Sequence, residues 1–195
     1  MGSWPNIKKA MRELALNVMD ITQNSISAGA TLIRITVEES ASKDRLSIAV
    51  EDNGCGMTEE QVRSVIDPFY TTRTTRKVGL GVPLFKMEAE MTGGSFRIDS
   101  EKGKGTKLLA EFVPSHVDMT PLGNITDTIF LLITCNPELD FVYRRVKEEA
   151  EFVLDTRELR KILGEDAPLN APEVAQWLKG YLEEQTELLE GGNSI

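Results

Sequence analysis

Helix-period and strand-period segments interleave along the 195 residues, which places the chain in the α/β class. The run Arg45 to Glu51 alternates Leu46, Ile48 and Val50 with polar neighbours, the period-two pattern of a half-buried strand. Two pairs of such runs are joined by short polar turns, Ser40 to Asp44 and Glu101 to Gly105, so the expected sheet is mixed and mainly antiparallel. Leu14, Val18, Ile21 and Ser25 recur at three- and four-residue spacing, as on the inner face of an amphipathic helix.

A chain of this length buries one good core with room for a small appendage. With a formal net charge of -9, neither a nucleic-acid duplex nor an anionic membrane is an obvious partner of the whole surface, so an anionic ligand needs a local basic patch. Cys55 and Cys135 lie far apart without CxxC spacing, which suits a reducing, cytoplasmic setting better than a disulfide framework. No signal peptide opens the sequence, and the longest aliphatic and aromatic run, Ile129 to Ile133, is far short of the roughly 20 residues that span a bilayer. Residues 1–10 read as a lead-in or a tag remnant, with 11–118 and 119–195 as the two parts that follow.

The first helix is expected from Met11 to about Ile26. Asn17, Asp20 and Asn24 share one stripe of it. That stripe is either a solvated face or a ligand-facing one; Asn and Asp, which are poor helix formers, favour the second. Leu32 to Glu38 and Arg45 to Glu51 follow as paired strands. Asp52-Asn53-Gly54-Cys55-Gly56-Met57 then places a carboxylate at a strand end, followed by two glycines that allow positive φ and close ligand approach. Turn chemistry alone can also produce this spacing.

Thr58 and Gln61 have capping-box spacing for a short helix to Ile66. From Thr71 to Pro83 the chain is polar, basic and punctuated by Gly79 and Gly81, just before a helix expected over Val82 to Thr92. Such a helix N-terminus suits phosphate, and Arg73, Arg76 and Lys77 concentrate positive charge there, although a tight turn and a soluble loop read the same way. Ser95 to Ser100 and Thr106 to Val113 are the next strands. Further on, Asp127 to Thr134 reads as a strand pairing with Leu139 to Val146, Phe152 to Leu154 as a short strand, and Thr156 to Leu163 and Pro172 to Leu189 as helices.

In combination these boxes, in this order from Met11 to Val113, resemble the ATP-binding domain shared by histidine kinases, DNA gyrase, mismatch-repair ATPases and large heat-shock chaperones. Asn24 to Thr31 is similar to the mismatch-repair first box, and Phe69 to Thr72 followed by Gly79 to Val82 to the kinase version. The resemblance implies a two-layer α/β sandwich of Bergerat type, three helices on one sheet face, and a small C-terminal α/β extension. It implies ATP and Mg²⁺ as cofactors, with Asn24 as metal ligand and Asp52 accepting from the adenine amine. Gly54 and Gly56 would flank the base and Thr106 close its pocket, while Gly79, Gly81, Val82 and the lid, with Phe69, Thr72, Arg73, Lys77 and Leu80, would hold the phosphates. Asp20 takes the place of a catalytic glutamate and is one methylene shorter.

The resemblance further implies phosphate transfer from ATP to a His or Ser of a separate partner protein, or instead an ATP-driven switch with slow hydrolysis. The net charge and the short apolar runs argue against nucleic acid and membrane as partners, and a homodimer is left open. Only about ten residues precede Met11, too few for a phosphoacceptor domain, and His116 reads as a loop residue. The likeness is therefore to stand-alone ATPases in the size range of anti-sigma-factor serine kinases, and to small members encoded beside iron hydrogenase subunits. The lid, Pro68 to Leu80, carries three cations and no apolar run, so triphosphate is expected to order it.

Overall fold

The computed structural model describes residues 13–67, 81–164 and 168–191. In chain order the elements are α1 (Leu14–Ser27), β1 (Leu32–Ser40), β2 (Arg45–Asp52), α2 (Glu59–Ile66), α3 (Gly81–Met91), β3 (Ser95–Glu101) and β4 (Gly105–Phe112). They continue with α4 (Ile125–Cys135), β5 (Asp140–Lys147), β6 (Ala150–Asp155), α5 (Thr156–Leu163) and α6 (Pro172–Leu189).

One six-stranded sheet runs β3-β4-β2-β1-β5-β6, antiparallel at every junction except the parallel β1–β5 pair. Alternation sorts its two faces. Ile33, Ile35 and Val37 of β1, Leu46, Ile48 and Val50 of β2, and Leu108, Ala110 and Phe112 of β4 point inward and are buried. Against them lie Leu14, Val18 and Ile21 of α1, Val82 and Phe85 of α3, and Ile129, Leu132 and Ile133 of α4, in one continuous core. The opposite face is polar, with cross-strand ion pairs such as Arg34–Glu51, Arg45–Glu111 and Arg144–Glu38. The fold is thus the expected two-layer α/β sandwich with a mixed, mainly antiparallel sheet.

The segment read as a strand over Asp127 to Thr134 is instead α4, and the partners of β5 are β1 and β6 rather than that segment. The reason is local capping together with periodicity. Asn124 accepts from the Asp127 N–H, and Ile125, Ile129, Leu132 and Ile133 fall on one buried helical face. Burying α4 beside α1 then leaves β1 an open edge, which β5 occupies. Asp140 N–H donates to Thr31 O and Glu148 N–H to Glu39 O at the two ends of that ladder. The C-terminal strands therefore continue the same sheet.

Glu148 closes the far end of this junction. Its carboxylate accepts from the Ser42 and Ala41 amides and from the Ser42 and Ser40 hydroxyls, which holds its pKa below the usual glutamate value. The folded pKa lies below the unfolded one, so the contribution is complete above the unfolded value and is lost as pH falls through the folded one. The amide resonances of Ala41 and Ser42 should accordingly titrate below the ordinary glutamate range, and Glu148→Gln should remove that titration.

Candidate functional site

α1 ends at Ser27 beside the strand end of β2, and the space between them is a cleft of about 360 Å³. Asp52 lies at its floor, 9% exposed. Its Oδ2 accepts from the Ser25 hydroxyl at 2.6 Å and its Oδ1 from the Gly54 N–H at 2.8 Å. Two donors fix the plane of the carboxylate while each oxygen keeps a further lone pair for a ligand. Apolar walls come from Ile21, Val50, Val65, Val82, Ile98 and Leu108. A flat apolar slot with a carboxylate at its floor fits an aromatic base bearing an amino group.

The loop after Asp52 is pinned on both sides. Asn53 Oδ1 accepts from the Thr31 and Leu32 amides, Cys55 N–H donates to Ala28 O, and Gly103 N–H donates to Cys55 O. Gly56 alone of the two loop glycines takes positive φ, at 61°, and a Cβ there would lie 2.0 Å from Glu101 O. Gly54 does not. Its missing side chain instead leaves room for Asp52 Oδ1 and the Ala28 carbonyl, each about 3 Å from where a Cβ would stand.

Of the stripe on α1, Asn24 and Asp20 are exposed whereas Asn17 is buried and donates to the Glu88 carboxylate of α3. Asn24 lines the cleft, and no hydrogen bond of its side chain is found among the described residues. Asp20 faces the first turn of α3, where a Cβ on Gly81 would meet the Asp20 Cβ at 3.1 Å. Asp20 and the buried first turn of α3 thus meet beside the cleft, which Val82 of that turn lines.

The cleft therefore gathers Asn24, Asp52, Gly56, Val82 and Thr106, with Gly54 beneath Asp52 and Asp20 opposite Gly81. The remaining candidates, Phe69, Thr72, Arg73, Lys77, Gly79 and Leu80, lie outside the described residues. Sequence reasoning assigned Ser25 to the core stripe and gave Ser100 no role. Ser25 could have been found as a hydroxyl on the buried side of a helix facing a strand-end carboxylate; Ser100 carries no such signal. His116 follows β4 next to Ser115, which bonds Asp44 in the β1–β2 turn. Asp44 and Asp52 stand at opposite ends of β2, about 25 Å apart at strand rise, so His116 is remote from the cleft.

A shallower groove of about 730 Å³ beside β3 and α2 is larger, but its charges are already matched. Lys104 pairs with Glu101 at 2.8 Å and Lys107 with Glu51 at 3.7 Å. No cluster of three or more His, Cys, Asp or Glu suited to a metal occurs among the described residues. Nor is any described helix long and apolar enough to cross a membrane.

A buried, doubly anchored carboxylate facing an apolar slot, with the first turn of α3 beside it, fits an ATP-binding α/β domain. The chain belongs to the histidine kinase-, DNA gyrase B-, and HSP90-like ATPase family, whose model matches residues 3–116. It is 36% identical over 111 residues to the sensor protein SrrB of Staphylococcus aureus (strain NCTC 8325 / PS 47), a match covering 54% of this chain and 18% of that protein. It is 30% identical over 92 residues to the sensor protein DegM of Bacillus sp. (strain B21-2), covering 47% and 24%. This chain thus matches less than a quarter of the length of those relatives. Among solved structures, the N-terminal domain of a DNA repair protein superposes with a TM-score of 0.54 at 15% identity, over 73% of this chain and 52% of that one. That likeness concerns the fold alone.

Proposed function

We propose that the protein is a Mg²⁺-dependent ATP-binding enzyme that transfers phosphate from ATP to a His or Ser of a separate partner protein. The observation that carries the nucleotide assignment is Asp52, held by Ser25 and Gly54 with acceptor capacity directed into the cleft. The adenine would enter the apolar slot, and its amino group would donate to Asp52. The donor chemistry of Asn24 fits Mg²⁺, a hard cation that takes oxygen ligands and keeps several waters. Bound there, the ion would neutralise phosphate charge.

Asp20 supports phosphoryl transfer over binding alone. A carboxylate beside a phosphate-binding helix N-terminus repels phosphate, and no ion pair offsets it among the described residues. Its placement is explained if it accepts the proton of the attacking Ser hydroxyl or His imidazole while the new P–O or P–N bond forms and ADP leaves. Residues 119–195 are the proposed partner-recognition part. The exposed thiols of Cys55 and Cys135 suit a cytoplasmic location.

Incubation with γ-labelled ATP, Mg²⁺ and a cell extract should label one partner band, and Asp20→Asn should lower that labelling by roughly a hundredfold, the scale of general-base catalysis. Phosphate release with no labelled protein would instead favour an ATP-driven switch.

A further inference from the structure

The Ser100 hydroxyl joins the two loops that close the floor of the cleft. It accepts from the Met57 N–H at 2.9 Å, and lies 2.9 Å from both the Gly105 carbonyl oxygen and Thr106 Oγ1. A hydroxyl has one proton and two acceptor lone pairs. A carbonyl only accepts, so the Ser100 proton goes to Gly105. The bond between the two hydroxyls then has a single remaining donor, Thr106. Thr106 Oγ1 is thereby left with lone pairs alone to offer the cleft, which it lines together with Asp52, its cross-strand neighbour. The Asp52 carboxylate offers acceptors as well, since Gly54 and Ser25 donate to it.

We propose that Ser100 fixes the hydroxyl direction of Thr106 and so makes the cleft selective for a 6-amino purine over a 6-oxo purine. The inference rests on the proposed ATP binding and deepens it by naming the residue that sets base choice. Ser100 is a positioning residue: it acts through Thr106. Where it meets the 6-substituent of the purine, a floor built only of acceptors attracts an exocyclic amine and repels a carbonyl, because facing acceptors leave both unsatisfied. Removing the Ser100 oxygen frees the Thr106 proton, which can then turn toward a purine carbonyl.

The test titrates ATP and inosine triphosphate, each with Mg²⁺, into the full chain and its variants by calorimetry. The parent should prefer ATP. Ser100→Ala should narrow the ATP-to-ITP affinity ratio by about tenfold, the weight of one hydrogen bond, chiefly through tighter ITP binding. Ser100→Thr, which retains the hydroxyl, should restore the parent ratio. Should Ser100→Ala prove too unstable to titrate, Thr106→Val reads the same quantity: loss of the acceptor should weaken ATP but not ITP. The proposal is overturned if Ser100→Ala keeps the parent ratio, if Ser100→Thr loses it, if Thr106→Val leaves it unchanged, or if the parent binds both nucleotides equally. A parent that binds neither overturns the ATP assignment itself.

Discussion

Asp52→Asn is expected to weaken ATP binding by roughly ten- to a hundredfold, the 1.5–3 kcal/mol typical of a hydrogen bond to a charged group, with little effect on the fold. The hydrogen bonds around Asp52 dictate how the new carboxamide sits. The Gly54 N–H can only donate, so the Asn oxygen must take the Oδ1 position. The NH₂ then occupies the Oδ2 position beside Ser25, whose hydroxyl can rotate to accept. Both local bonds survive, which spares stability. An adenine amine expected to donate to Oδ2 would, however, meet another donor. Calorimetric titration of ATP checks the affinity and thermal unfolding the fold; Asp52→Asn binding like the parent would remove the base assignment.

Asn24→Ala should remove the Mg²⁺ dependence of nucleotide binding. Its side chain is exposed at the cleft and makes no hydrogen bond among the described residues, so truncation leaves no buried group unsatisfied and costs the fold little. Alanine is also the better helix former. Loss of the proposed oxygen ligand should weaken ATP-Mg²⁺ by roughly a hundredfold, since removing a group one step further from a metal already costs about 10–100-fold. Binding measured in excess chelator should be the same in parent and variant. An unaltered Mg²⁺ effect in Asn24→Ala would show that the ion is held elsewhere.

Local chemistry made much of this fold readable from the chain. The Thr58–Gln61 capping box forms as its spacing requires, with each side chain bonding the other residue's backbone, and α2 ends at Ile66. Polar turns and period-two alternation located β1 to β4 to within two residues. What was hidden was non-local. The parallel β1–β5 pair joins residues more than a hundred positions apart, and no turn sequence marks it. α4 was obscured because Ile, Phe and Thr in its apolar run favour strands, while Asn124 and the 125–129–132–133 spacing carried the opposing helical signal.

The site divides along the same line. Asp52 and Asn24 stood out because each departs from what its element needs structurally, whereas Gly56 is demanded by its positive φ and the closeness of Glu101 O. Asn17 shared a stripe with Asn24, yet α3 packs over it and takes its amide. Ser100 and Ser25 look like ordinary strand and helix serines, and only the register of β3, β4 and α1 shows what their hydroxyls hold.

ATP is expected to occupy the cleft between α1 and the β2–β4 strand ends. Backbone amide shifts on titration with ATP and Mg²⁺ test it most directly. Residues Asn24 to Ala28, Gly54 to Met57 and Thr106 should move together and saturate at one nucleotide per chain, while Arg34, Thr36 and Arg144 on the open sheet face stay fixed. Shifts confined to Glu59, Arg63, Asp99 and Lys104, in the groove beside β3 and α2, would contradict it.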